Sequence, residues 1–248
     1  KNYIGIDPVY EMIPVRPVVH YMMGGIDTNK DGSTNLPGLY AAGECACVSI
    51  NGANRLGSNS LTEILVYGTR AGNAAAVFAK EHSEIDIAAL EKLRDEEESR
   101  ITDNYLQKDG GSEKIANLRQ EMHLVMEEHV GIFRSESGLK KASSKIEELK
   151  DRFSSIIIED KHKNFNTELI SALELENMLD IAEAIIFSAL ARRESRGSHQ
   201  RTDFQERNDK DFLSHSLAYL ADRESRIEYK EVVITKWPPG ERVYGKEE

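Results

Sequence analysis

The feature that most constrains the fold is a long helical pattern from Thr167 to Arg193. Between Ile181 and Leu190, apolar residues occupy nearly every side of this helix rather than a single stripe. A helix that is apolar all round has to be surrounded by other elements, because every side needs cover from water. The sequence therefore predicts that this helix lies at the centre of a helical domain.

Two further helical patterns precede this central helix. Between residues 115 and 129, and again between 139 and 156, apolar residues recur at alternating steps of three and four, as on one face of a helix. Gly131 and Gly138 flank the turn between them. Three helices in succession predict a three-helix-bundle-like domain.

A glycine-rich stretch from Ile13 to Gly68 has a different character. Residues 13–21 are expected to form a strand or an extended run that delivers His20, and the paired glycines Gly24 and Gly25 follow it. Paired glycines let a ligand or another strand approach the backbone closely. This stretch therefore predicts a ligand site.

The second half of the stretch predicts a strand followed by a helix. Residues 39–43 are expected to form a short buried strand that ends at Glu44. Asn59 or Ser60 is expected to cap a helix that runs from about residue 61 to residue 81. Small residues along that helix predict tight packing against a sheet, and hence burial.

Composition narrows the class of function. The chain has 248 residues, of which 40% are hydrophobic and 30% charged, as is typical of soluble globular proteins. The net charge of -11 argues against nucleic-acid binding, which needs a basic surface. No apolar run approaches the roughly 20 residues that span a bilayer. Two cysteines one residue apart are too few for a zinc site. We expect no nucleic-acid partner, no membrane span and no metal.

The remaining segments predict scaffold. The highly charged segment 83–110 is typical of a solvated helix face or a linker. The cations at 192–199 suit the end of a helix, with Gly197 as a left-handed cap, although their density also leaves open a contact with another domain or subunit. Residues 226–236 alternate as an exposed strand does, and a polar tail follows.

A few residues of the glycine-rich stretch suit ligand chemistry. Arg55 stands in a glycine-lined loop, where a guanidinium can bind a carboxylate through two hydrogen bonds. His20 can donate to the same group, although a satisfied core histidine is the alternative. Glu44 follows a predicted strand, where sugar hydroxyls of a dinucleotide bind in open α/β sheets. The helix start at 59–61 supplies free N–H groups that stabilise negative charge. No Gly-x-Gly-x-x-Gly motif occurs, so the chain supplies half of a dinucleotide site at most.

Several motifs together resemble the flavoprotein subunit of succinate dehydrogenase and fumarate reductase over nearly the whole chain. They are RPVVHYMMGGI, GLYAAGECACVSINGANRLGSNSL, NLRQEMHLVMEEHVGIFRSESGL, RRESRGSH and VVITKWPPGERVY. The NGANRLGSNSL stretch is highly specific. The resemblance is to the C-terminal part of that subunit. It implies a piece of a longer protein, with the glycine-rich FAD motif, the flavin-linking His and most of the capping domain upstream.

The resemblance also implies roles for individual residues. His20 and Arg55 would hold a carboxylate of a dicarboxylate substrate. Glu44 would contact FAD, and Ser60 and Leu61 would meet the isoalloxazine edge. Hydride would pass between a substrate carbon and flavin N5, while an Arg upstream of this chain relays a proton.

One position departs from the family pattern. Asn51 stands where many relatives carry His, which puts a flavin-side role of that position in doubt but leaves the carboxylate-binding pair intact. Because the pyrophosphate turn and the proton relay are absent, we expect the isolated chain to hold no FAD and to be inactive.

The sequence thus predicts an α/β fold, a partial FAD-binding domain, followed by an α-helical three-helix-bundle-like domain and a short β/coil C-terminal extension. The expected boundaries are 1–82 for the C-terminal part of the FAD-binding domain, 83–110 for a charged connector, 111–222 for the helical domain and 223–248 for the extension. The longer protein would oxidise succinate to fumarate, or the reverse. Electrons would pass to an iron–sulfur subunit and on to quinone, with membrane anchor subunits as further partners. It would lie peripherally on the cytoplasmic side of the membrane, or on the matrix side in mitochondria.

Two alternatives stand beside this prediction. The first is a flavoenzyme similar to L-aspartate oxidase, which tends to carry Ala where this chain has Gly57 and lacks the VVITKWPPGERVY-like ending. The second is a helical interaction module without catalysis, which predicts an exposed apolar groove and no role for His20 or Arg55.

Overall fold

The computed structural model describes residues 3–221 and 225–240. The chain divides into two compact units. The first unit consists of the chain up to Glu81 together with the short segment Gly131–Phe133. The second unit consists of His82–Val130 and the chain from Arg134 onward. Within the described ranges, no helix is both long enough and apolar enough to span a bilayer.

The first unit is built on a small parallel sheet and one long helix. These elements are β1 (Ile26–Asp27), β2 (Ala46–Cys47) and α1 (Asn59–Glu81). Ile26 pairs with Ala46 across the two parallel strands. The close approach depends on Gly25, because a Cβ on this residue would lie 2.5 Å from the backbone oxygen of Cys45. The element that lies against the paired glycines is therefore another stretch of backbone.

The predicted strand at 39–43 is wrong. This segment contributes only an isolated bridge between Tyr40 and Ser33. The chain turns at Gly43, whose φ is +87°, and the Ala46 N–H donates back to the Gly43 oxygen at 3.0 Å. Because the backbone bends there, the strand begins only after the turn.

α1 is much less buried than its small residues predict, so that prediction is wrong. Only Glu63 and Ala71 are buried, whereas Leu61 is 65% exposed. Residues 13–20 are also exposed and form no strand. The physical reason is the size of the sheet, since β1 and β2 have 2 residues each and cannot cover a helix of 23 residues.

The rest of the chain is mainly helical. In order it forms α2 (Ile87–Ile101), a π-helical turn (Thr102–Leu106), α3 (Ile115–Val130), β3 (Phe133–Arg134), α4 (Glu136–Phe153), α5 (Thr167–Ala191), β4 (Gln200–Arg201), α6 (Asp209–Phe212), β5 (Ser214–Tyr219) and β6 (Arg226–Glu231).

The core of the second unit lies between α3, α4 and α5, which confirms the three predicted helices. Each helix contributes side chains that are at most 1% exposed, namely Leu118, Leu139, Ile146, Leu175 and Ile186. α5 packs against α3 and α4 and also against β5 and β6. Its central position stays a prediction, since Ile181 is 50% exposed. The fold is therefore a small α/β unit followed by a helical domain, as the sequence predicts.

The charged segment before this core is itself a helix. α2 begins after Asp86, whose side chain accepts a hydrogen bond from the Ala89 N–H at 3.0 Å, and none of its residues is buried. The π-helical turn that follows places Tyr105 in the core. The Tyr105 hydroxyl donates to Glu176 on α5 at 3.0 Å, and burial raises the pKa of this phenol to about 12.

Gly197 does not cap α5, so that prediction is wrong. The helix ends at Ala191, and Gly197, with φ of +57°, lies in a later tight turn. In this turn, Arg196 and His199 exchange backbone hydrogen bonds of 2.8 and 3.0 Å.

Three arginines after α5, namely Arg192, Arg196 and Arg201, have acidic partners inside their own unit. Glu194 is fully buried and accepts from Arg192 at 2.6 Å and from Arg196 at 2.8 Å. Arg201, whose side chain is also fully buried, pairs with Asp203 at 2.7 Å. Ion pairs inside the unit therefore account for Arg192 and Arg196 of this motif.

The C-terminal part contains an antiparallel hairpin. β5 pairs with β6 from Ser214 opposite Glu231 to Tyr219 opposite Arg226. The strand predicted over 226–236 ends at Glu231, and its partner β5 was not predicted. The four-part domain division stays a prediction.

Candidate functional site

Two contacts join Met22 and Met23 to predicted site residues in the first unit. The Met22 N–H donates to Glu44 Oε1 at 3.1 Å. The Arg55 N–H donates to Met23 Sδ, also at 3.1 Å. The short segment before β1 is therefore held both to the turn that carries Glu44 and to the loop that carries Arg55.

Arg55 is held through the face of its guanidinium. Its Cζ lies 4.7 Å from the centre of the Tyr21 ring, which is the geometry of a cation–π contact. Nη1 donates to the Leu56 oxygen at 3.3 Å, while Nε is buried and has no hydrogen-bond partner among the described residues. A buried donor without a partner is costly, so this edge of Arg55 is suited to an acceptor such as a carboxylate.

α1 adds a buried carboxylate next to this pair. Glu63 is 3% exposed, and its Oε2 accepts from Asn51 Nδ2 at 2.7 Å and from the Tyr21 hydroxyl at 3.3 Å. Burial raises the pKa of the Tyr21 phenol, and the negative charges of Glu63 and Glu44 raise it further. The hydroxyl therefore keeps its proton and acts as a donor.

Sequence reasoning missed Tyr21 and Glu63 as members of this site. The one clue to Glu63 is its place in the first turns of α1, where an acidic residue stands between the apolar neighbours Leu61 and Ile64. Tyr21 gave no such clue, because its contact with Arg55 depends on how two loops fold together.

His20 precedes Tyr21 directly and is exposed. Within the described residues its side chain forms no hydrogen bond or ion pair, and no hydrogen bond joins it to Arg55. The structure therefore brings His20 to Arg55 only indirectly, through the neighbouring Tyr21 ring.

The two residues predicted to lie at the flavin edge open α1. The sequence predicted Asn59 or Ser60 as the cap of this helix. The helix instead begins at Asn59, so both residues are helical. The N–H groups of Asn59 and Leu61 donate to the oxygens of Leu56 and Ser58, each at 3.2 Å. Two of the three N–H groups expected to be free are thus used within the turn. Ser60 is half-buried and Leu61 exposed.

Comparison with known families defines the class of protein, a flavoprotein whose FAD-binding portion is followed by a helical C-terminal domain. Residues 1–61 match the model of an FAD binding domain. Residues 119–244 match the model described as fumarate reductase flavoprotein C-term. The chain belongs to the fumarate reductase flavoprotein family, which confirms the resemblance predicted from its motifs.

Individual relatives agree with the family match. The chain is 52% identical over 250 residues to the fumarate reductase flavoprotein subunit of Mycobacterium tuberculosis, covering 99% of this chain and 43% of that protein. It is 38% identical over 265 residues to the succinate dehydrogenase flavoprotein subunit of Rickettsia bellii, covering 98% and 44%. A solved variant of the Escherichia coli quinol fumarate reductase matches with a TM-score of 0.93 and 46% identity, covering 99% and 42%. The chain therefore spans less than half the length of these relatives.

Proposed function

We propose that the longer protein containing this chain interconverts succinate and fumarate by hydride transfer to or from FAD. Its family and the names of its relatives support this reaction. The observation that supports a substrate site at particular residues is the set of contacts made by Arg55. Its guanidinium is fixed over Tyr21, yet its buried Nε has no partner among the described residues.

In this proposal, His20 and Arg55 bind one carboxylate of the dicarboxylate. Arg55 offers the unpaired edge of its guanidinium, and the exposed His20 stands one residue from the ring that holds Arg55. Two donors on one carboxylate fix the position of the carbon atoms that react. Such positioning lowers the barrier by removing orientational freedom before the chemical step.

The cofactor-facing role falls to Glu44, Ser60 and Leu61. FAD, when bound, supplies the centre that accepts or donates the hydride. Glu44 is exposed and already fixed through the Met22 N–H, so its carboxylate is available to a cofactor. Ser60 and Leu61 lie in the first turn of α1, where the positive end of the helix dipole favours negative charge. The buried Asn51 Oδ1 has no partner in the described residues and is a further polar atom that a bound group can satisfy.

The same proposal includes partners and location. The solved relative is a quinol fumarate reductase, which supports electron exchange with quinone. We infer an iron–sulfur subunit between FAD and quinone, together with membrane anchor subunits. The flavoprotein subunit would then lie peripherally on the cytoplasmic face of the membrane, or on the matrix face in mitochondria. The isolated chain, which carries no Gly-x-Gly-x-x-Gly turn, is expected to hold no FAD and to be inactive.

An assay of the full-length protein tests the reaction. The purified protein should show flavin absorption, oxidise succinate with an artificial electron acceptor, and reduce fumarate with a reduced dye. Oxidation of aspartate in place of succinate would favour the aspartate oxidase alternative. A protein without flavin and without either activity would favour the non-catalytic helical module.

Gly57 does not separate these enzyme alternatives on structural grounds. A Cβ added at this position meets no atom within 4 Å, and its φ is not in the left-handed region. An alanine is therefore compatible with the same loop, and substrate choice has to be measured.

A further inference from the structure

Glu63 is a buried carboxylate whose charge has no counter-ion. It is 3% exposed, and both of its hydrogen-bond partners, Asn51 and Tyr21, are neutral. In the described part of the chain, no lysine, arginine or histidine forms an ion pair with it. Burying an unpaired charge is costly, so a carboxylate at this place calls for a reason beyond packing.

The side chain of Tyr21 connects Glu63 to Arg55. Its Oε2 accepts from the Tyr21 hydroxyl at 3.3 Å, and the face of the same ring lies 4.7 Å from the Arg55 Cζ. The carboxylate therefore fixes the edge of the ring, and the ring fixes the plane of the guanidinium. A negative charge behind the ring also favours the cation on its face.

This indirect arrangement has a consequence that a salt bridge would not have. A carboxylate bound directly to Arg55 would occupy its N–H groups and neutralise its charge. Contact through the ring face leaves those N–H groups in the plane of the guanidinium, and Nε is in fact unpaired among the described residues. Arg55 is thus held in place while it can still receive a ligand carboxylate.

We propose that Glu63 is a positioning residue for Arg55, which holds the Tyr21 ring so that the guanidinium edge stays directed toward the substrate carboxylate. The inference rests on the proposed function of Arg55 as the carboxylate-binding residue. Glu63 touches no reacting atom and acts only through Tyr21.

Asn51 supports the same arrangement through a hydrogen bond to Glu63. Its Nδ2 donates to the same Oε2 at 2.7 Å, which is the shorter of the two hydrogen bonds. Asn51 therefore fixes the rotamer of Glu63 and keeps the shared oxygen directed toward Tyr21. In this chain the residue supports the substrate-binding arginine.

The test uses the full-length protein and compares Glu63→Gln with Glu63→Asp. The glutamine keeps the volume but removes the charge, and its NH2 group competes for the place of the shared oxygen. We expect Glu63→Gln to raise the KM for succinate by roughly tenfold, with kcat lowered much less. The dissociation constant of malonate, a non-reacting dicarboxylate followed through the flavin spectrum, should rise by the same factor. Glu63→Asp keeps the charge and should recover part of the loss.

Further variants separate positioning from folding. Glu81→Gln changes an exposed carboxylate at the end of α1 and should leave KM unchanged. Tyr21→Leu removes the ring and should raise KM as Glu63→Gln does. It therefore tests the same arrangement if the Glu63→Gln protein does not fold. Tyr21→Phe keeps the ring and should have a smaller effect than Tyr21→Leu.

Two outcomes overturn the proposal. One is an unchanged KM and malonate affinity in folded Glu63→Gln or Tyr21→Leu protein. The other is a lower yield or melting temperature with normal KM in the surviving enzyme, since this is what a purely structural carboxylate produces. Arg55→Ala distinguishes this failure from that of the proposed function. If Arg55→Ala loses most of its turnover while Glu63→Gln leaves KM unchanged, only the inference about Glu63 fails.

Discussion

His199 accepts a hydrogen bond from the Arg134 guanidinium through Nδ1, with 3.0 Å between the two nitrogen atoms. A guanidinium can only donate, so Nδ1 carries no proton. The proton is on Nε2, which donates to the Arg192 oxygen at 3.0 Å. The two contacts select one neutral tautomer of the ring. Burial lowers the pKa of His199 to about 4, and the positive charges of Arg134, Arg201 and Arg192 oppose protonation as well.

The first prediction concerns acid stability. Because the pKa of His199 is lower in the folded chain than the usual value of about 6.5, protonation favours the unfolded state. The stabilisation from neutral His199 should be complete above about pH 6.5 and decline as the pH falls toward 4, by at most about 3 kcal/mol. His199→Gln offers an acceptor and a donor without titrating. It should flatten the dependence of the melting temperature on pH in this window.

His123→Gln is the matched control for this experiment. His123 is exposed and its side chain forms no hydrogen bond or ion pair among the described residues, so its replacement should leave the pH dependence as in the parent protein. Thermal unfolding followed by circular dichroism between pH 4 and pH 7 provides the measurement. Equal slopes in the parent protein and in His199→Gln would contradict the prediction.

The second prediction concerns the ion-pair network around Arg152 on α4. Its guanidinium donates to Glu121 and Glu113, both at 2.8 Å, and the hydrogen bond to Arg152, with help from Lys145, lowers the pKa of Glu121 to about 2. The stabilisation from ionised Glu121 is therefore present above about pH 4.5 and lost as the pH falls through 2. Arg152→Gln should lower the melting temperature at pH 7 by roughly 1–3 °C.

Salt and acid provide the checks on this network. The difference between Arg152→Gln and the parent protein should shrink at high salt and again below pH 4, because both conditions weaken the ion pairs. Arg94→Gln is the control, since Arg94 pairs on the surface with the adjacent Asp95. If Arg94→Gln lowered the melting temperature as much as Arg152→Gln does, the network would stabilise the protein no more than a single surface ion pair.

The helical domain could be predicted from sequence because its information is local. Apolar steps of three and four place Leu118 and Ile146 on single faces of their helices, and the structure buries both in one core together with Leu175 of α5. A periodic pattern of this length leaves little choice of secondary structure. The boundaries observed for α3, α4 and α5 therefore lie close to the predicted ones.

The first unit was predicted less well because its contacts are long-range. The Tyr21 hydroxyl and Glu63 are 42 positions apart in sequence, and no periodicity relates them. The strands β1 and β2 have 2 residues each, too few to produce an alternating pattern. Their pairing depends on the close approach at Gly25 and the turn at Gly43, and neither position reveals its partner in sequence.

The third prediction concerns the core. Leu175 on α5 is fully buried, so Leu175→Ala should destabilise the protein by about 2–5 kcal/mol through lost apolar contact and a residual cavity. Ile181→Ala, on the same helix but at a position that is 50% exposed, should cost about 1 kcal/mol or less. Urea unfolding of the two variants measures the difference. Equal losses would mean that Leu175 does not lie in the core.

The fourth prediction concerns the close approach of β1 and β2. Gly25 has a φ of +138°, and a Cβ there would lie 2.5 Å from the Cys45 oxygen. Gly25→Ala should destabilise the first unit by roughly 1–3 kcal/mol, because both the backbone angle and the contact become strained. Gly57→Ala should be tolerated, since a Cβ there meets nothing within 4 Å. Limited proteolysis of the two variants should show faster cleavage of Gly25→Ala alone.

The fifth prediction concerns Arg55 in the full-length protein. Arg55→Ala removes the guanidinium that we propose to bind the substrate carboxylate, so turnover with succinate should fall by roughly two to three orders of magnitude. Flavin content should stay at the parent level, because Arg55 is proposed to contact the substrate and not the cofactor.

Arg70→Ala is the matched control for Arg55→Ala. Arg70 is a partly exposed arginine of α1 paired with Asp31 at 2.6 Å, and its loss should leave turnover near that of the parent protein. Turnover retained in Arg55→Ala would refute the assignment. Flavin lost together with activity would place Arg55 in cofactor binding instead.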